Sequence, residues 1–363
     1  MTAPAAVIAG LGACVPPRAV DNAVIAERLG VTPEWVRDRT GVVTRNLLDD
    51  RSTTRGLALE AGRRALRSAA ASGDQGGDPD GSPARDPGGV LGADIDAVIV
   101  ASWTQEQACP PMAPALASEL GAGGAAAFDV GATCAGFVYA LALAAGLIAA
   151  GTVRRVLVIA VETHSPYLDP DDRVTAPLFG DGAGSAVLRA GLPGEPGALV
   201  AFDLGSDGTG RDLLRVAPGG RGAEPCGDPF LRMAGSPVFL HAVRRMVSSS
   251  RAVLGSAGMT TADVDALVAH QANGRIMKTV ASRLTIPPPR VVETIERFGN
   301  TGCASIPLAL AVAGGAQAVR PGDRLLLTAF GAGFTWASAV LTWPDISVPE
   351  IGTQAPPARE RKE

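Results

Sequence analysis

Three side chains with chemical potential lie far apart in this sequence: a cysteine, a histidine and an asparagine. Cys134 sits in "DVGATCAGF" (129–137), after a short apolar run and before a long Ala/Leu-rich one. The order strand, glycine, cysteine, helix predicts a sulfur at a helix N-terminus. There the unpaired N–H groups and the helix dipole favour thiolate over thiol. Thiolate is a strong nucleophile; the alternative is a small side chain filling core space. His270 follows the apolar run in "VAHQANGRI" (268–276), at the C-terminal strand end where α/β proteins place functional groups, although a structural histidine fits there too. Asn300, in "RFGNTGCASIPLAL" (297–310), precedes a helix start and by itself reads as a cap. "FGAGFTW" (330–336) is a glycine-rich turn after a strand, of the kind that lets backbone N–H groups face a ligand.

The elements that must carry these residues alternate between apolar runs and longer Ala-rich helical ones. Strands are predicted over 7–10, 97–101, 126–130, 156–161, 183–188, 266–269, 324–329 and 338–342. Helices are predicted over 53–71, 112–120, 135–149, 238–254, 274–284 and 306–319. Several strands are apolar throughout, as in sheets covered on both faces, so the fold class is layered α/β.

One offset recurs along the chain. "DIDAVIVAS" from Asp94 matches "DVDALVAHQ" from Asp263, "RRVLVIA" matches "DRLLLTA", and "TCAGFVYALALAAG" matches "GCASIPLALAVAGG", each pair 169 positions apart. Three matches in order at one spacing predict two related halves with a site where they meet. The halves are expected at 1–193 and 194–345. Residues 72–92, rich in Gly, Pro and Asp, are expected to form a surface insertion, and 346–363 a polar, unstructured tail.

Composition narrows the function. The chain has 363 residues, 47% hydrophobic, enough for a large core. A net charge of −4 and 4% aromatics argue against nucleic acid or an anionic membrane as partner. The N-terminus has no basic segment before its apolar run, and the apolar run 138–150 is too short to span a bilayer, so a cytoplasmic protein is expected. Five cysteines (14, 109, 134, 226 and 303), none spaced C-x-x-C, speak against a disulfide framework or structural zinc. "GLGACVPP" is a broken G-x-G-x-x-G, with prolines where a helix would start, and weakens a dinucleotide-binding reading.

Taken together, "DVGATCAGF", "FGDGAGSAVL" (179–188), "HQANGRI", "GNTGCASIPLAL" and "FGAGFTW" resemble the motif set of β-ketoacyl-acyl carrier protein synthase III, in the thiolase superfamily. The resemblance runs from about Val7 to Trp343. It implies a five-layered αβαβα sandwich of two pseudo-duplicated halves, in agreement with the repeat. It implies that Cys134 accepts the acyl group, that His270 and Asn300 are the His/Asn pair, and that the backbone N–H groups of Cys134 and Ala332 form the oxyanion hole. Trp35 and Arg173 match residues that sandwich the adenine of coenzyme A, and Arg39 a nearby phosphate-side position. Arg275, at the tunnel mouth, matches the basic residue that receives the carrier protein, and Phe239 lines the tunnel. Acyl-coenzyme A and an acyl carrier protein are the implied partners, in a homodimer, with no metal and no cofactor beyond the coenzyme A thioester substrate.

The implied reaction loads an acyl group on Cys134, decarboxylates malonyl-carrier, and joins the two. His270 Nε2 and the Asn300 amide would donate to the enolate oxygen. Cys303 falls inside the "GNT" helix start and reads as packing, not as the second cysteine of a thiolase. Several positions depart from the family. Cys109 stands where an aromatic commonly reaches across the dimer to bound the partner's acyl pocket. His164 stands at an apolar pocket wall beside the retained Phe179. Leu240 replaces a common lysine on the docking face, where Arg244, Arg245, Lys278 and Arg283 are candidates to compensate. The altered pocket leaves a non-decarboxylating acyltransferase of secondary metabolism as the alternative. A non-catalytic dimer partner is the third reading.

Overall fold

The structure, a computed structural model, describes residues 3–73, 91–216 and 228–354. Most of the 72–92 stretch, Cys226 and the end of the tail lie outside the described residues.

In chain order the strands are β1 (Ala5–Val15), β2 (Arg18–Asp21), β3 (Thr44–Leu47), β4 (Ala97–Ala101), β5 (Ala126–Val130), β6 (Arg155–Glu162), β7 (Gly182–Gly191), β8 (Leu199–Ser206), β9 (Leu214–Val216), β10 (Leu231–Met233), β11 (Ala266–Ala269), β12 (Arg324–Gly331), β13 (Thr335–Thr342) and β14 (Gly352–Thr353). The helices are α1 (Asn22–Leu29), α2 (Pro33–Thr40), α3 (Thr54–Ala71), α4 (Ala113–Glu119), α5 (Gly136–Ala149), α6 (Gly235–Ser256), α7 (Gly274–Arg283), α8 (Ile295–Phe298) and α9 (Ser305–Gly315). One sheet runs β14-β1-β7-β6-β4-β5 and a second runs β11-β12-β13-β8.

Side-chain alternation builds the layers. On β4, Ala97, Ile99 and Ala101 face inward onto α5 and α9, while Val98 and Val100 face outward onto α3 and α4. On β6, Val156, Val158 and Ala160 face inward, and Leu157, Ile159 and Val161 outward. Both faces are covered, which is why these strands read as unbroken apolar runs. The second sheet closes the other side of α5 and α9, and α6 and α7 cover its outer face. The result is the expected αβαβα sandwich.

The duplication extends to strand register. β4 pairs parallel with β6 with Ala97 opposite Val156, and β11 pairs parallel with β12 with Ala266 opposite Leu325. Both partners of the second pair stand 169 positions beyond those of the first.

Gly10 and Gly12 on β1 have a packing role rather than a phosphate-binding one. A Cβ on either would lie 2.4 Å from a carbonyl oxygen of α3, Ala65 or Ala61 respectively, so only glycine lets helix and strand come this close.

Three features differ from expectation. β8, with Asp, Gly and Ser in its run, carries no clear strand pattern, yet it forms an edge of the second sheet through antiparallel pairing with β13. α1 and α2 were not foreseen. They are only eight residues each, held by the caps Asp21 and Thr32 and ended by left-handed Gly30 and Gly41. The beginning of the tail is ordered: Gly352–Thr353 pair parallel with Cys14–Val15, and the Gln354 side chain accepts a hydrogen bond from Thr53 N–H. Backbone pairing at a sheet edge holds a segment whose composition predicts none.

Candidate active site

A cavity of about 670 Å³ opens between the two halves. Cys134, His270 and Asn300 all line it, with Trp35, Arg39, Arg173, Phe179, Phe239 and Arg275. The three central residues arrive on different elements. Cys134 sits in a 3-10 turn, Thr133–Ala135, that runs into α5. His270 directly follows β11, its N–H donating to the Thr328 carbonyl at 2.8 Å. Asn300 follows α8, ahead of the turn that leads into α9.

Each is fixed by its surroundings. Gln271, next to the histidine, accepts from Thr294 N–H and Ile295 N–H and donates to the carbonyls of Ala269 and Val292, which locks the "HQ" loop. Asn300 Oδ1 accepts from Gly302 N–H at 2.9 Å, and Nδ2 donates to the Ala272 carbonyl at 3.2 Å. That orientation turns the NH2 group, which has a second hydrogen, toward the His270 loop. His270 Nδ1 lies 2.7 Å from Ser305 Oγ, so the ring presents Nε2 to the cavity.

"FGAGFTW" forms the β12–β13 hairpin, with Gly331 opposite Thr335. Its tip is stitched onto the cysteine turn: Thr133 Oγ1 donates to the Ala332 carbonyl at 3.0 Å, and Thr335 Oγ1 donates to the Ala132 carbonyl at 2.9 Å. Thr133 itself takes a left-handed φ of 45° just before the nucleophile candidate, a strained placement for a β-branched residue. A Cβ on Gly331 would stand 2.2 Å from Thr133 Oγ1 and 2.7 Å from Cys134 N. Gly331→Ala therefore displaces the Cys134 backbone N–H, and its acyl-loading rate is expected to fall about 10²-fold while the protein still folds. Stopped-time mass spectrometry of the acyl-enzyme measures it.

One electrostatic expectation is reversed. Burial pushes the Cys134 thiol up to about 12, and nearby Glu162 adds to the rise, while its own backbone N–H opposes it. Desolvation thus favours the thiol at rest, in opposition to the thiolate that a helix N-terminus would favour. Burial likewise lowers His270 to about 3, with His164 contributing, so its ring is neutral.

The remaining expected residues fall outside this centre or are engaged differently. His164 is 1% exposed and lies behind Phe179, ring centroids 4.7 Å apart, off the cavity wall. Cys109 is exposed in the loop before α4. Arg283 is exposed at the far end of α7. The guanidinium over the Trp35 ring is that of Arg39, 4.3 Å from its centroid, whereas Arg173 donates to the Leu29 carbonyl at 2.8 Å. Arg245 is stacked on Trp336 and paired with Asp207 at 3.0 Å, which removes it from the docking candidates. Cys303 is buried, its Sγ donating toward the Ala101 carbonyl at 3.2 Å, as expected of packing.

Two family models match this chain: 3-oxoacyl-[acyl-carrier-protein] synthase III over residues 128–208, and its C-terminal counterpart over 254–343. β-Ketoacyl-[acyl-carrier-protein] synthase III 3 of Streptomyces coelicolor is 47% identical over 348 residues, covering 94% of this chain and 98% of the relative. This chain belongs to the β-ketoacyl-acyl carrier protein synthase III family. The crystal structure of the Pseudomonas aeruginosa PAO1 synthase III superposes with a TM-score of 0.84 at 43% identity, covering 94% of this chain and 99% of that one. The priming β-ketosynthase of the R1128 polyketide pathway superposes at 0.83 with 34% identity, covering 96% and 98%. The chain is thus a condensing enzyme of the acyltransferase class, of the type that primes fatty-acid or polyketide synthesis.

Sequence reasoning missed two buried groups of this synthase. Ser305 lies inside "GNTGCASIPLAL", one position before the predicted helix 306–319, and carries no role in the sequence reading. Glu162, at the C-terminal end of β6, was passed over, although such strand ends were the place to look. Its carboxylate accepts from Thr104 Oγ1 at 2.8 Å and from Cys303 Sγ at 3.3 Å. Burial raises Glu162 from the usual 4.5 to about 8, against those hydrogen bonds. The folded synthase then holds a proton that the unfolded chain has lost, so stability falls as pH rises from about 4.5 to about 8, by about 1.4 kcal/mol per pH unit at most. Glu162→Gln is expected to flatten that slope, measured by urea unfolding across the window. A slope equal to wild type refutes the assignment.

Proposed function

We propose that this synthase loads an acyl group from acyl-coenzyme A onto Cys134 and condenses it with malonyl-acyl carrier protein, giving β-ketoacyl-carrier, CO2 and free coenzyme A. The observation that carries the reading is Cys134, His270 and Asn300 lining one cavity in a chain this similar to synthase III along nearly its whole length. In loading, the Cys134 sulfur attacks the thioester carbonyl and coenzyme A leaves with the proton that the thiol gives up. The backbone N–H groups of Cys134 and Ala332 hold the tetrahedral oxyanion. Malonyl-carrier then loses CO2, His270 Nε2–H and the Asn300 amide stabilise the enolate oxygen, and its carbon attacks the acyl-cysteine. The carbonyl reforms, the Cys134 sulfur leaves as thiolate, and it takes up one proton from water to restore the resting thiol.

Trp35 and Arg39 form a stacked pair at the cavity wall suited to an adenine face and its phosphates, with Arg173 adding charge. Arg275, exposed at the cavity, suits an acidic carrier, with Arg283 further along α7. We assign Phe239 to the tunnel and Phe179 to the acyl-pocket wall, with His164 packed behind Phe179 as its outer layer and not in contact with the acyl group; Cys109, exposed in the loop before α4, leaves more room for the acyl group only where a dimer partner's pocket takes it in. A homodimer is supported by β5, the edge strand of the six-stranded sheet, and by exposed Leu143 on α5, the helix that packs next to it. No helix among the described residues is long and apolar enough to cross a membrane; the cytoplasm, where coenzyme A thioesters are made, is the inferred location.

The test is CO2 release from malonyl-carrier by the acylated protein. Release with chain extension supports the reading. Acyl transfer without CO2, unchanged in Asn300→Ala, would establish the simple acyltransferase instead. Mass spectrometry of Cys134 after exposure to mixed acyl-coenzyme A esters identifies the starter.

A further inference from the structure

Two buried histidines of this chain contact different kinds of partner, and the difference sets which ring nitrogen holds the proton. His164 Nδ1 lies 2.9 Å from the Gly180 carbonyl oxygen. A carbonyl only accepts, so Nδ1 of His164 carries the hydrogen. His270 Nδ1 instead lies 2.7 Å from the Ser305 hydroxyl, which can donate or accept. Ser305 Oγ already accepts from Gln271 N–H at 3.3 Å. Ser305 and His270 are both 1% exposed. A buried hydroxyl hydrogen without an acceptor is costly, and among the described residues the one acceptor in contact with Ser305 Oγ is His270 Nδ1.

We propose that Ser305 is a positioning residue that donates its hydroxyl hydrogen to His270 Nδ1 and so holds the ring as the Nε2–H tautomer, opposite to His164. The consequence for catalysis rests on the decarboxylating reading above. The Nε2–H tautomer presents a hydrogen-bond donor to the cavity, where negative charge would grow on the malonyl carbonyl oxygen. The other tautomer would present a lone pair to that oxygen and repel it. A ring with hydrogen already on Nε2 cannot take the Cys134 proton there, so acyl loading and decarboxylation depend on Ser305 to different degrees. Ser305 opens α9, the helix that starts five residues after Asn300, so the same turn orients both donors.

The experiment uses the full chain labelled with ¹⁵N in its imidazoles. With three histidines, His164, His241 and His270, the ring signals are assigned by single His→Gln variants. Expected in the wild type are Nε2–H for His270 and Nδ1–H for His164. In Ser305→Ala the His270 signals should lose the single Nε2–H pattern. Decarboxylation of malonyl-carrier should fall at least about tenfold, and the rate of acyl loading on Cys134 should change less than about twofold. Ser305→Thr, which keeps the hydroxyl, should restore the Nε2–H pattern. Wild-type His270 protonated on Nδ1 overturns the assignment without any variant. Ser305→Ala with the wild-type pattern and undiminished decarboxylation overturns it too, as does equal loss of loading and decarboxylation. If the wild type shows the expected tautomers but releases no CO2, the condensing reading fails and the tautomer assignment stands.

Discussion

Cys134→Ala loses acyl loading by at least about 10⁴-fold, because Cys134 is the one sulfur lining the cavity among the described residues. The two other buried sulfurs among the described residues are placed where they cannot substitute, and exposed Cys109 is not among the residues lining the cavity. Cys303 is closest by descent, at the equivalent position of the second half, yet its Sγ points away from the cavity to the Ala101 carbonyl and Glu162. Cys14 is buried in β1 against α3, and burial pushes its thiol up to about 12. Cys303→Ala should therefore load at close to the wild-type rate. The measurement is the intact mass after incubation with acyl-coenzyme A: one acyl adduct on wild type and Cys303→Ala, none on Cys134→Ala. An adduct of equal yield on Cys134→Ala would remove the nucleophile from the mechanism. Since the resting sulfur is a thiol, loading is also expected to speed up with pH above neutrality, as the small thiolate fraction grows.

His270→Ala and Asn300→Ala should each slow decarboxylation of malonyl-carrier by about 10²–10³-fold, the usual effect of removing one preorganised donor to a developing oxyanion. Their geometry separates this step from loading. The Asn300 amide is held by Gly302 N–H and the Ala272 carbonyl, and neither contact involves Cys134. With hydrogen on Nε2, as proposed from the Ser305 contact, neutral His270 turns a donor toward the cavity. Both variants should therefore still form the acyl-enzyme and then stall, visible as accumulated acyl adduct with little ¹⁴CO2. The double variant should lose less than the product of the two single losses, because both donors act on one oxygen. Loading lost to the same extent as decarboxylation in both variants would assign His270 and Asn300 to positioning of the cysteine instead.

The parts of this protein legible in one dimension are those whose signal is local or repeated. A fully covered strand needs apolar residues on both faces, so β4, β6 and β12 announce themselves as unbroken runs. The 169-position offset legible in the sequence is reproduced in strand register, Ala97 with Val156 and Ala266 with Leu325. Motifs around Cys134, His270 and Asn300 identified the family because each lies just before a helix start, after a strand for Cys134 and His270 and after α8 for Asn300, junctions that short-range sequence encodes. β8 was lost because its pattern contains Asp, Gly and Ser, and it became a strand only by pairing with β13.

Tertiary structure decided what depends on neighbours distant in the chain. It shifted protonation: enclosure of Cys134 raises its thiol, and enclosure of Glu162 raises its carboxyl from 4.5 to about 8. It set engagement: Arg245 is absorbed by Asp207 and Trp336, and Ser305 reaches across 35 positions to His270. Desolvation and hydrogen-bond partnership are properties of the space around a group, and no spacing along the chain specifies that space. The amino-acid order determined the layers, the duplication and the identities of the reacting groups; which of those groups hold a proton, and in which direction each can give it, was determined by the packing of one half against the other.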